Sequence, residues 1–274
     1  MMDRRLTPAN GRVAAALLEG QVTADKYVQG WAQSVILPVV DLCAQPHGAR
    51  DRQLLLGTPV TVFEDREGIC FVKSDFDGYV GYIPHDALGE PAVMTHRVAT
   101  PATHAYTSDD LKSPDRMHLS FGAQVEVLDE RHKFFETTHG FIPKKHLRPL
   151  SQPFSDPVTI AQMHYGAPYL WGGNSILGID CSGLVQVGLR ACDIACPADS
   201  DMQLADLGHD IAPDAPLQRG DLLFWKGHVG LMVDPDTLLH ANAHQMAVTY
   251  EPVVNAILRI AAQGDGDVIS RRRL

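Results

Sequence analysis

The first 150 residues run as short apolar–polar alternations broken by turn residues, a pattern that predicts the short strands of small β-barrels. Val60, Val62 and Phe71 sit among polar neighbours, as do Val125 and Val127. A period of two places such residues on one face of a strand. Two stretches share one plan: residues 54–88, LLLGTPVTVFEDREGICFVKSDFDGYVGYIPHDAL, and residues 119–147, LSFGAQVEVLDERHKFFETTHGFIPKKHL. Each has a Gly after a short apolar run, an alternating strand, an acidic turn, then Gly-aromatic-Ile-Pro. Gly57 precedes Pro84 by 27 positions and Gly122 precedes Pro143 by 21, so the second is a shortened copy of the first. Two copies are too few for a solenoid or propeller. They read as two barrels, over residues 34–90 and 91–150, behind an N-terminal segment 1–33 that is either a flexible arm or a strap packed on a barrel.

After PLSQPFSDP (149–157), a linker with three prolines and two serines, the texture changes. TIAQMHYGAPYLWGG opens with a helical pattern (Ile160, Met163, His164) and ends aromatic and Gly-rich. From Cys181 onward, Leu184, Val185, Gly188, Leu189 and Cys192 recur at helical spacing. LLFWKGHVGLMVD and TLLHANA then read as strands. A helix followed by antiparallel strands predicts an α+β domain over 151–274. The tail ISRRRL reads as a solvated end.

Composition narrows the function without naming it. With 45% hydrophobic and 20% charged residues the chain has an ordinary globular balance. A formal net charge of −10 argues against nucleic acid as a partner, since phosphate binding wants clustered Lys and Arg. Five cysteines, an odd count in a chain this size, fit a reducing compartment better than a disulfide framework. The longest apolar stretch near the N-terminus, VAAALL, is too short for a secretory signal, and no run is long enough to span a bilayer, so a cytoplasmic location without membrane partners is expected. Cys192 and Cys196 lack the second pair that a structural zinc site needs, and no HExxH, phosphate loop or dinucleotide fingerprint occurs. Neither metal nor cofactor is expected.

The chemistry concentrates at Cys181. Asp180 or Ser182 can cap the helix that starts there. A thiol in the first helical turn meets free N–H groups and the positive end of the helix dipole, so its pKa is expected to fall, and the same N–H groups can stabilise an oxyanion. His228, at the start of an apolar strand after the Lys226-Gly227 turn, supplies a base. If the hairpin turns near Asp234 or Pro235, His240 faces His228 directly or diagonally on the same face of the sheet, where it can fix the ring's tautomer.

At these residues the chain resembles the NlpC-type papain-like cysteine peptidases, over roughly residues 155–255, through YGAPYLWGGNSILGIDCSG, GDLLFWKGHVGLMVD and LLHANA in that order. The two barrels resemble bacterial SH3-like domains. The resemblance implies a multidomain protein: two small all-β SH3-like barrels followed by an α+β papain-like cysteine peptidase domain. It implies hydrolysis of the γ-D-glutamyl–diamino acid bond of murein peptides in cell-wall recycling, with Cys181 as nucleophile, His228 as base and His240 as third member. The partner is then a small peptide, L-Ala-γ-D-Glu-diamino acid, with a free N-terminus. Asp180 would pair with its ammonium, Tyr169, Trp171 and Ser182 would line the pocket, and Tyr79 of the first barrel would cover one side. Cys70 departs from the pattern, standing where such repeats usually carry a Trp. Other Cys–His chemistry (amidase or acyl transfer) and a non-enzymatic wall-peptide binder are the competing readings.

Overall fold

A computed structural model describes residues 2–274. The chain forms two compact units, the first ending at Ser151 and the second running Gln152–Leu274. Among the described residues no helix is long and apolar enough to cross a membrane.

The first unit is mostly strand. A seven-stranded antiparallel sheet orders Arg50–Leu55, Val39–Cys43, Val80–Pro84, Ile69–Ser74, Pro59–Arg66, Trp31–Val35 and Leu88–Gly89. A five-stranded sheet follows, ordered Asp115–Ser120, Ala102–Tyr106, Gly140–Pro143, Phe134–Thr137 and Val127–Glu130, beside a three-stranded one of Gln124–Val125, His96–Val98 and Leu147–Pro149. The sequence repeat has a structural counterpart. Pro59–Arg66, Ile69–Ser74 and Val80–Pro84 form a meander that ends in a 3-10 turn, His85–Ala87. Val127–Glu130, Phe134–Thr137 and Gly140–Pro143 form a second meander ending in the 3-10 turn Lys144–His146. The second copy is shorter because its strands are shorter and residues 138–139 replace the longer loop 75–79.

The two expected barrels do not separate into two units. Leu55 and Leu56, at the end of a strand of the first sheet, pack into the core of Val98, Leu119, Val125 and Ile142, and the Gln124 N–H donates to the Leu56 carbonyl at 2.9 Å. The first sheet also begins earlier than expected, at Trp31. The N-terminal segment is a packed strap. Val13–Ala15 pairs in parallel with Lys26–Val28, while Val13, Ala15 and Leu18 pack on Phe63, Phe71 and Val80. Arg12 adds an ion pair to Glu64 at 2.6 Å. Val13 and Leu18, both buried, contribute about 1.5–3 kcal/mol each to holding it down.

The second unit packs helices on both faces of a six-stranded antiparallel sheet. Helix α1 (Pro157–Gln162) is capped by Asp156, whose carboxylate accepts from the Val158 N–H, with Pro157 at the first helical position. Helices α2 (Cys181–Ala191), α3 (Ser200–Asp206) and α4 (Val253–Ala262) follow. The sheet orders His209–Asp210, Ser270–Arg273, Leu222–Trp225, His228–Met232, Thr237–Asn242 and Ala247–Pro252. Alternation along its strands serves two cores. Leu222, Phe224, Val229, Leu231, Leu239 and Ala241 face α1 and α2; Leu223, Trp225, Met232 and Leu238 face α4. This double burial is why LLFW reads as one apolar run. Gly188 lets α1 approach α2, since a Cβ there would come 2.6 Å from the Pro157 carbonyl oxygen.

The tail departs from the expectation of a solvated end. Ser270–Arg273 is an internal strand of the sheet, paired with Leu222–Phe224 on one side and His209–Asp210 on the other. Backbone pairing and the Arg273–Asp221 ion pair at 2.8 Å hold it, and neither shows in a hydropathy pattern.

Candidate active site

The site is built from the start of α2. Asp180 adopts an extended backbone (φ −97°, ψ 179°) and caps the helix: its Oδ1 accepts from the Gly183 N–H at 2.6 Å and the Ser182 hydroxyl at 2.9 Å. Its Oδ2 accepts from the Gly172 N–H at 2.9 Å, which ties the aromatic Gly-rich turn to the helix. Gly183 has no room for a side chain: a Cβ would stand 2.6 Å from Asn174 Oδ1 and 2.7 Å from the Gly173 carbonyl. From behind, the Gln203 amide of α3 donates to the Ser182 carbonyl at 2.9 Å. Cys181 is therefore held at a helix N-terminus that is fixed on three sides.

The sulfur of Cys181 is within hydrogen-bonding reach of the backbone N–H groups of Val229, Ser182 and Cys181 itself. Val229 directly follows His228, so the start of that strand lies against Cys181. The next hairpin turns through Asp234, whose carboxylate accepts from the N–H groups of Asp236 and Thr237. The register pairs Leu231 with Leu239 and Met232 with Leu238. Continued, it sets Gly230 opposite His240 and leaves His228 diagonal to it, one of the two placements expected. The rings meet, with His228 Nε2 to His240 Nδ1 at 3.0 Å. Trp225, paired with His228 across the preceding hairpin, sets its ring 5.6 Å from the imidazole.

The thiol and the two imidazoles rest neutral. Burial pushes the Cys181 thiol up to about 12, and the adjacent Asp180 charge adds to this; the three N–H groups pull it back only in part. The thiol pKa expected to fall is thus raised, because burial and the Asp180 charge outweigh the three N–H groups at the helix start. Burial is also the main cause that carries His228 down to about 3 and His240 down to about 4. His240 and Arg259 lower His228 further, against Glu251. Two neutral imidazoles fit one N–H donor meeting one bare nitrogen. A neutral imidazole can serve as a general base, taking a thiol proton as sulfur reaches a carbonyl.

The other expected residues fall as follows. Ser182 is buried beside Asp180, to which its hydroxyl donates. Tyr169 donates its N–H to the Met246 carbonyl, and its phenol is raised to about 12 by burial, then by the nearby Cys181 and Asp180. The structure therefore groups Tyr169, Asp180, Cys181 and Ser182. Trp171 sits in the turn pinned by Asp180 and is 68% exposed. Tyr79 belongs to the first unit, in the loop before Val80–Pro84, where its N–H donates to Asp77 Oδ1 and its side chain is buried. It is not among the residues the second unit gathers.

Two residues of the site lie outside the expected set. Glu251 sets Oε2 3.2 Å from His240 Nε2, and Arg259 of α4 holds Glu251 with donors at 3.0 and 2.7 Å. The signal was a Glu in an otherwise apolar-facing strand position followed by an Arg in the next helix. Among the described residues one group has metal-ligand character: Asp65, Cys70 and His85, with ligand atoms within 4.8 Å of one another. It lies in the first unit. His85 Nδ1 is already engaged by Asp65 at 2.7 Å, and both side chains are exposed.

The comparisons with known proteins bear on this geometry. The family model for a bacterial dipeptidyl-peptidase SH3 domain matches residues 42–88, and that of the NlpC/P60 family matches 166–261. The gamma-D-glutamyl-L-lysine dipeptidyl-peptidase of Bacillus subtilis (strain 168) is 31% identical over 215 residues, covering 69% of this chain and 71% of the relative. Dipeptidyl-peptidase 6 of Lysinibacillus sphaericus is 36% identical over 240 residues, covering 76% and 86%. The chain belongs to the NlpC/P60 family. As a family member it is a peptidase, a hydrolase by class, with an SH3 domain ahead of the NlpC/P60 domain. A crystal structure of an NlpC/P60 family protein from Bacillus cereus shares the fold, with a TM-score of 0.74 over 89% of this chain and 99% of that one at 19% identity.

Proposed function

We propose that this NlpC/P60 peptidase hydrolyses the γ-D-glutamyl–diamino acid bond of murein peptides that carry a free N-terminal L-Ala. The observation that carries the reading is a pair of contacts at the start of the His228–Met232 strand: the Val229 N–H reaches Cys181, and the preceding His228 bonds to His240 at 3.0 Å. The names of the Bacillus subtilis and Lysinibacillus sphaericus relatives, both dipeptidyl-peptidases, support a cut two residues from a free amine.

In this reading His228 takes the Cys181 proton at its free nitrogen Nδ1 while sulfur attacks the γ-carbonyl carbon. The N–H groups at the start of α2 receive the developing oxyanion. The C–N bond breaks as His228 returns its proton to the leaving amine, which departs as the diamino-acid fragment. Water then adds to the thioester, giving a proton to His228, and the sulfur leaves as a thiol when that proton returns. The products are L-Ala-D-Glu and the free diamino-acid portion. Asp180, buried beside Tyr169 and Ser182, offers its carboxylate to the substrate ammonium; a site built on that bond rejects blocked peptides. A free-amine rule directs the enzyme to small released peptides. The proposal also reads the Val127–Pro143 meander and its surrounding strands as a second SH3-like barrel, on the strength of the repeated meander and 3-10 turn.

The test is mass spectrometry of L-Ala-γ-D-Glu-L-Lys and L-Ala-γ-D-Glu-diaminopimelate, each beside its N-acetylated form. Release of L-Ala-D-Glu from the free peptides alone is expected. Equal cleavage of the acetylated forms removes the amine rule, and cleavage of none removes the substrate assignment.

A further inference from the structure

A line of polar side chains crosses three adjacent strands toward α4 in the second unit. His228 meets His240 at 3.0 Å, one diagonal step across the first strand pair. In the next pair His240 lies opposite Thr249, and Glu251 is again one diagonal step away. Glu251 Oε2 is 3.2 Å from His240 Nε2. Arg259, arriving from α4, grips both Glu251 oxygens, with Nε to Oε1 at 3.0 Å and Nη2 to Oε2 at 2.7 Å. His240 is 0% exposed, and its Nε2 makes no straight hydrogen bond. Glu251, whose carboxylate lies off the straight line of the N–H, is the acceptor within reach. A buried N–H left without any acceptor is costly, so a neutral His240 needs this contact.

We propose that Glu251 is a positioning residue for the peptidase reaction: it accepts the Nε2 proton of His240 and thereby sets the tautomer of both imidazoles. The inference rests on the Cys181–His228–His240 reading above. Its logic is a chain of single protons. With its proton on Nε2, His240 presents a bare Nδ1 to His228 Nε2. His228 must then carry its own proton on Nε2, which leaves its Nδ1 bare for the thiol. Without an acceptor at 251, His240 is free to hold its proton on Nδ1. That proton points at His228 Nε2, drives the His228 proton to Nδ1, and blocks the nitrogen that must take the thiol proton. A wrong tautomer is a large penalty in a nucleophile–His–acceptor arrangement. Arg259 keeps the carboxylate ionised and aimed: the bidentate contact holds the Glu251 pKa below its ordinary value, with the neighbouring His240 a smaller contributor.

The experiment compares the full chain with Glu251→Gln, Arg259→Gln and the double variant Glu251→Met/Arg259→Met. The double variant removes the acceptor without stranding a charge, which favours folding, and the Gln variants cover the case in which it fails to fold. Glutamine keeps a carbonyl acceptor, so Glu251→Gln retains activity within a few-fold, whereas Arg259→Gln leaves the Glu251 carboxylate unaimed and lowers kcat. The double variant loses about 10–100-fold in kcat with KM little changed, as expected for a group that orients a reacting one. Nitrogen NMR of the histidine rings shows Nε2–H on His228 and His240 in the full chain and in Glu251→Gln, and a shift toward Nδ1–H on His240 in the double variant. A folded double variant with full kcat and unshifted rings overturns the proposal, as does a Glu251→Gln whose kcat falls 10-fold or more. Cys181→Ala and His228→Ala run alongside. If either cleaves the peptide at the full rate, the underlying reading fails; if both are inactive while the double variant is fully active, only the role of Glu251 fails.

Discussion

Replacing Asp180 by Ala tests how far the active site and the fold share one residue. The carboxylate accepts three hydrogen bonds, from Gly183 N–H, Ser182 Oγ–H and Gly172 N–H, and is only 8% exposed. Loss of an N-cap costs about 1 kcal/mol. The Gly172 N–H, buried and left without its acceptor, adds about 1–3 kcal/mol, while the Ser182 hydroxyl can turn elsewhere. The total is about 2–4 kcal/mol, which lowers the melting temperature of a unit of this size by roughly 10 °C. Asp180→Asn keeps the cap, since its carbonyl still serves Gly183, but sets an amide N–H against Gly172, so its melting temperature falls less. It also removes the charge that the proposed ammonium contact requires. Thermal unfolding followed by circular dichroism, with kcat and KM on free and N-acetylated tripeptide, separates these effects. Two results refute the reasoning: an Asp180→Ala melting point within about 2 °C of the parent, or an Asp180→Asn enzyme that still prefers the free amine to the same degree.

Further expectations concern protonation and packing. Because His228 is depressed to about 3, it stays neutral through its ordinary value of 6.5, so kcat/KM holds from pH 7 down to about pH 5; an acid limb centred near 6.5 contradicts this. The raised Cys181 thiol predicts no ultraviolet thiolate signal at pH 7 that Cys181→Ala removes. Stability shares the sign: His228 and His240 are protonated in the unfolded chain below about 6.5 but not in the fold, so their contribution is present above that pH and is lost as pH falls toward their folded values. Urea midpoints at pH 7 and pH 5 measure this, and a His228→Gln/His240→Gln variant flattens the difference. Gly230→Ala sets a Cβ 2.7 Å from the fully buried Leu238 side chain and destabilises by about 1–3 kcal/mol, read as a lower urea midpoint with unchanged slope. Arg273→Met strands the buried Asp221 carboxylate and costs about 2–3 kcal/mol, below the range for a fully buried pair because Arg273 is partly exposed.

The local arrangement around Cys181 and His228 was legible in the residues alone. Helical spacing after Cys181 with Asp180 ahead of it defined α2 and its cap, and the strand runs around His228 and His240, twelve residues apart with Asp234-Pro235 between, defined a hairpin that brings the two rings together. These features are short-range, so periodicity and turn residues specify them. Tertiary structure decided what depends on the sum of the surroundings. Whether the thiol pKa rises or falls turns on how completely the helix start is buried, and burial there outweighs the N–H groups that reach the sulfur. Glu251 and Arg259 join the site only because two diagonal strand steps and one helix approach converge on His240. The arginine-rich end becomes an internal strand because its backbone finds Leu222–Phe224 and its last arginine finds Asp221, partners about fifty residues away that no local pattern of polar and apolar residues records.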